Sequence, residues 1–284
     1  MKFVYSNICL THNPLFSCNN WLNVDFYLST IVLSVLQTKK LYKDSTIELI
    51  GDNTSIELFN KLNLPFDVIK NDLESIKYYP KDFWALGKIK AYQLQTESFI
   101  HLDTDVILRK KLDDFDNLLF QNKEENSLMT SWFTNMYSNQ IKVINTNGYK
   151  VKSWGKANYA VNSGIYGCKN LEFNVDYTTQ VFDFIINNKN LLLQQYNVKE
   201  YAIVFEQYLF ACLIEDRKIK TDYISNPFNT DDFIEKGFLH IWGAKNKIEW
   251  YEYIRNWLIK DYPFYYETIQ KILKDNKLKD NKLK

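Results

Sequence analysis

The stretch FIHLDTDVIL, Phe99 to Leu108, decides how this chain is read. Four strand-forming residues lead into Asp103-Thr104-Asp105, and a second apolar run follows. Carboxylates seldom interrupt a buried strand without a reason, because a buried charge is costly unless it is paired. Side chains in a strand alternate faces, so residues two apart share one. If the strand runs extended to Asp105, both carboxylates point the same way and Thr104 is a spacer on the other face. Parallel α/β sheets gather ligands at the carboxyl ends of their strands, and hard cations choose oxygen ligands. The triplet is then either a Mg²⁺ or Mn²⁺ site or a turn with a capping aspartate, and taken alone it leaves both open. His101 shares parity with Asp103 but sits deeper in the strand, which reads as a core histidine.

Working outward, residues 3–5 form a first strand and 24–42 an amphipathic helix with apolar positions three and four apart. Strand, helix and strand follow in STIELIGDN, SIELFNKLNL and FDVIK, and then a helix in KDFWALGKIKAYQLQ. This alternation predicts a three-layer α/β/α sandwich with a mainly parallel central sheet. Past Leu108 the order is less regular: SLMTSWF and SGIYGC read as strands, YTTQVFDFIINN and VFEQYLFACLI as helices, TDYI and FLHIWG as short strands. A long helical region interrupted at Pro263 closes the chain, with a charged tail carrying a tandem KDNKL. No Pro-, Gly- or Ser-rich linker divides it. The expected organisation is a catalytic domain over residues 1–255 and a helical extension with a frayed tail over 256–284.

With a net charge of +1 over 284 residues, no global field draws the chain to nucleic acid. No run approaches the ~18 apolar residues of a membrane span, and MKFVYSNICL lacks a signal peptide's apolar core. Cys9, Cys18, Cys168 and Cys212 form no C-x-x-C pair, which suits a reducing, cytoplasmic setting. The 19 Phe, 20 Tyr and 7 Trp read mostly as core. Neither G-x-G-x-x-G nor G-x-x-x-x-G-K-[ST] occurs, so a dinucleotide fold and a P-loop are disfavoured. Any phosphate must be held another way, and a divalent metal is the obvious means.

The segment FWALGKIKAYQLQTESFIHLDTDVILRKKLDDF resembles the D-x-D region of GT-A glycosyltransferases, particularly the family 8 type. YLSTIVLSVLQTKKLYKDSTIELIGDN is similar to that family's first helix and second strand. Asn162-Ser163-Gly164 falls where the family has Asn-Ser-Gly, and Glu206-Gln207 where it has an acidic residue and Gln. LHIWGAKNKIEW resembles its His-x-x-Gly-x-x-Lys-Pro-Trp. His240 and Gly243 match in spacing, Lys245 and Lys247 straddle the lysine position, proline is absent and Trp250 comes two residues late.

The resemblance implies a GT-A fold with C-terminal helices and a metal-dependent hexosyltransferase using a nucleoside diphosphate donor, UDP-sugar by preference. It implies Mn²⁺ or Mg²⁺ on Asp103, Asp105 and His240. Donor contacts would come from Lys88, Asp103, Thr104, Asp105, Asn162, Ser163, Gly164, Gly243 and Lys245 or Lys247. Glu206, Gln207 and Asn162 would face the transferred sugar. Retention of configuration and a glycan or lipid-linked acceptor are further implications, and contact with a membrane surface stays open. On the residues alone, Asn162-Ser163-Gly164 is equally a tight turn, Glu206-Gln207 a solvated helix face, and Lys88 a snorkelling surface lysine. The rival functions are a GT-A-like module that only binds carbohydrate or a partner, and a haloacid-dehalogenase-type phosphohydrolase with Asp103 as nucleophile.

Overall fold

The computed structural model describes residues 1–9, 20–125, 151–193, 198–225 and 237–280. Its first half alternates as the apolar periodicity requires: β1 (Lys2–Asn7), α1 (Val24–Leu41), β2 (Thr46–Gly51), α2 (Asn53–Lys61) and β3 (Val68–Lys70). A 3-10 turn (Glu74–Tyr78), α3 (Leu86–Gln93), β4 (Phe99–Leu102) and β5 (Val106–Leu108) follow. Beyond them lie β6 (Leu118–Glu125), β7 (Tyr159–Cys168), α4 (Leu171–Leu193), α5 (Val198–Ile203), a π-helical turn (Val204–Tyr208) and α6 (Leu209–Arg217). The remaining elements are β8 (Thr221–Ser225), β9 (Phe238–His240), α7 (Ile248–Asp261) and α8 (Pro263–Asp280).

Seven strands form one sheet in the order β3-β2-β1-β4-β7-β6-β8, and β5 pairs with β9 in a separate ladder. β1–β4, β2–β3 and β6–β8 are parallel, whereas β7 runs antiparallel to both β4 and β6. The expected α/β class with a mostly parallel sheet is therefore present, with β7 as the reversed strand. Among the described residues no helix is long and apolar enough to cross a membrane.

The chain separates into two compact units. One comprises Met1–Val4, Ser75–Leu102 and Leu112–Asp232, the other Tyr5–Glu74, Asp103–Lys111 and Phe233–Lys284. In the first, aromatic rings make the core: Tyr177 stacks on Phe210 at 3.6 Å, and Tyr92, Phe120 and Tyr166 pack around them. His101 lies in this core, 1% exposed and edge-on to Tyr92. In the second, α1 is buried on every side from Phe26 to Thr38, its serine, threonine and glutamine side chains included. Its buried hydroxyls are satisfied internally: Thr30 and Thr38 donate to carbonyls one turn back, and Thr38 Oγ1 lies 2.8 Å from the Tyr5 hydroxyl. Burial pushes that Tyr5 hydroxyl up to about 12.

Three local readings change. β4 ends at Leu102 and a turn follows, with the Val106 amide donating to the Asp103 carbonyl at 3.0 Å, so Asp103 and Asp105 do not share one extended strand. Asn162-Ser163-Gly164 lies inside β7 and is not a loop. The helix read over KDFWALGKIKAYQLQ is confined to α3. The strand read in SLMTSWF, together with His12 and Cys18, lies outside the described residues.

Candidate functional site

In the second unit, the ladder pairing β5 with β9 brings two distant segments together. Its antiparallel register sets His240 opposite Val106, and the Ile241 amide extends it by donating to the Asp105 carbonyl at 3.0 Å. One ligand atom each from Asp103, Asp105 and His240 then falls within 4.8 Å of the others. Asp105 is buried, while Asp103 and His240 are partly exposed. His240 Nε2 lies 3.5 Å from Asp105 Oδ1, and Lys245 Nζ lies 2.8 Å from Asp105 Oδ2. Burial by itself would raise the Asp105 carboxyl, but the charges of Lys245 and then His240 outweigh it and hold the group well below the usual carboxylate range.

The turn after β9 is anchored by its backbone, because the Leu22 amide donates to the Lys245 carbonyl at 2.7 Å. The Lys245 ammonium also faces the Trp21 ring at 5.2 Å. Of the two lysines the sequence offered, Lys245 reaches the acidic cluster, and Lys247 is exposed at the N-terminal cap position of α7. Gly243 is exposed, with open space where a Cβ would stand. Thr104 sits in the turn between the aspartates and is partly exposed. Two carboxylate oxygens and an imidazole nitrogen at this spacing form a donor set suited to Mg²⁺ or Mn²⁺.

The first unit holds a second polar cluster. Lys88 on α3 is 8% exposed and its ammonium lies 2.6 Å from Glu206 Oε1, so a surface role for it is excluded. Ser163 Oγ donates to the same oxygen at 3.0 Å. Glu206 is buried in the π-helical turn rather than on a solvated helix face, and its Oε2 has no hydrogen-bond partner among the described residues. Gln207 beside it is partly exposed. On β7, Asn162 Nδ2 donates to Glu124 Oε1 at 3.1 Å, and Asn162 Oδ1 accepts from the Gly164 amide at 3.0 Å. Glu124 is the member that sequence reading missed. Its strand, β6, begins apolar and turns to QNKEE, which resembles a loop.

No curated protein matches the sequence. Solved structures similar to it include the galactosyltransferase LgtC in complex with donor and acceptor sugar analogs, at 12% identity over 89% of this chain and 96% of that one, with a TM-score of 0.48. Mouse xyloside xylosyltransferase 1 in its apo form matches at 11% identity over 78% of this chain and 85% of that one, TM-score 0.39. The glycosyltransferase GlyE of Streptococcus pneumoniae TIGR4 matches at 12% identity over 91% of this chain and 63% of that one, TM-score 0.38. A family model matches residues 1–272, and the chain belongs to that family, DUF6734, a family of unknown function.

Proposed function

We propose that the protein is a metal-dependent glycosyltransferase that moves a hexosyl group from a UDP-sugar to a hydroxyl of a glycan or lipid-linked acceptor, with retention of configuration. The observation that carries this reading is the convergence of Asp103, Asp105 and His240 donor atoms within 4.8 Å, beside the Lys245 ammonium. Mn²⁺ or Mg²⁺ held there supplies a Lewis acid for the leaving diphosphate. Lys245 adds a positive charge beside the same group, and exposed Gly243 leaves backbone accessible to a phosphate.

In the first unit, Asn162, Gln207 and Glu206 are the residues assigned to sugar hydroxyls. Lys88 is reassigned from a donor-phosphate contact to a positioning residue, because its ammonium is engaged by Glu206 and Ser163. By holding Oε1, Lys88 and Ser163 fix the orientation of the Glu206 carboxylate.

A thermal-shift panel of UDP, GDP, ADP and CMP, each with and without Mn²⁺, tests the reading. UDP should stabilise the protein only when Mn²⁺ is present, by about 2.7 kcal/mol at a hundredfold excess over Kd. Asp105→Ala should keep the fold and lose that response. If none of the four nucleotides stabilises the protein under either condition, the proposal is wrong.

A further inference from the structure

We infer that Lys245 couples cation binding to diphosphate binding by competing for the Asp105 carboxylate. This rests on the metal-site reading above and goes beyond it. Lys245 Nζ lies 2.8 Å from Asp105 Oδ2, and Asp105 is 6% exposed, so little water shares that carboxylate. A divalent cation drawing on Asp105 and the Lys245 ammonium therefore seek the same buried charge. Two positive groups on one buried carboxylate repel each other strongly, because the medium screens them poorly.

The chain gives Lys245 room to yield. Its backbone is fixed by the Leu22 amide on its carbonyl, and the Trp21 face lies within 5.2 Å of the ammonium as a second cation-binding surface. A displaced ammonium beside the cluster is still a positive charge, and an incoming diphosphate is drawn to it. Cation binding thus costs a Lys245–Asp105 contact, and nucleotide binding supplies its replacement. By linkage, each ligand must raise the affinity of the other by the same factor.

The test measures free Mn²⁺ by electron paramagnetic resonance on full-length protein, with and without UDP. Lys245→Met should bind Mn²⁺ at least tenfold more tightly than the native protein when UDP is absent. It should also show a smaller UDP-induced gain in Mn²⁺ affinity. Lys245→Arg, which keeps the charge, should behave as the native protein does. A merely structural lysine predicts unchanged or weaker Mn²⁺ binding in Lys245→Met, and that outcome overturns the inference while leaving the metal site standing. If neither native protein nor Lys245→Met binds Mn²⁺ even with UDP, the metal reading itself fails and the inference fails with it. Asp105→Asn should abolish Mn²⁺ binding in either lysine background. Retained binding there overturns the competition, since Asp105 would not be the shared ligand.

Discussion

Replacing Lys88 by methionine should destabilise the protein far more than removal of an ordinary surface lysine. The Lys88 and Glu206 side chains are 8% and 5% exposed and meet at 2.6 Å, with Ser163 Oγ on the same carboxylate oxygen. At an effective dielectric constant near 20, the gross attraction is about 6 kcal/mol. Much of that is offset by the desolvation of both ions, so the net worth of the intact pair is small. Removing one partner is different, because it leaves the other charge buried and uncompensated, at a cost of about 3–5 kcal/mol. Urea unfolding followed by circular dichroism should therefore show that loss for Lys88→Met. The double variant Lys88→Met/Glu206→Leu should recover more than half of it, giving a coupling of about 2 kcal/mol or more in the double-mutant cycle. A loss below about 1 kcal/mol for Lys88→Met, or two effects that simply add, would refute the claim that a buried ion pair organises this part of the first unit.

Three further outcomes follow from single residues. Burial, and then the charge of Lys88, hold the His101 imidazole well below its ordinary value of 6.5. The unfolded chain therefore binds more protons below that pH, and stability present above it is lost as pH falls, by at most about 1.4 kcal/mol per unit. His101→Phe should remove about 1.3 kcal/mol of the stability difference between pH 7.5 and 5.5, and an unchanged pH profile would exclude the histidine as its source. At Gly167, an added Cβ would meet Phe115 Cζ at 2.6 Å and Leu119 Cβ at 2.9 Å. Gly167→Ala should cost about 1–3 kcal/mol in chemical denaturation, whereas Gly243→Ala, facing open space, should leave stability within about 0.5 kcal/mol of native.

Much of the first 108 residues was legible because parallel strands and the helices beside them bury short apolar runs, as in FVY of β1 and LIG of β2. The reading failed where burial is polar. β6 continues through Gln121, Asn122 and Glu124, all buried, because Gln121 donates to Asn122 and Glu124 accepts from Asn162. Local sequence cannot announce that such partners exist. The same gap let Asn162-Ser163-Gly164 pass for a turn, when the pairing of β7 with β4 and β6 holds it in a strand.

By itself the sequence determined which residue types could make a cation site and their order along the chain: Asp103 and Asp105 after an apolar strand, then His240 and Gly243 far downstream. Those features are local, since they depend on side-chain chemistry and on apolar runs a few residues long. Only tertiary structure decided that a turn, not a strand, orients the two aspartates, that Lys245 and not Lys247 reaches Asp105, and that Lys88 belongs to Glu206. The last two of these outcomes pair residues more than a hundred positions apart. Such contacts form only when the folded chain removes the partners from water, so no spacing within the sequence specifies them.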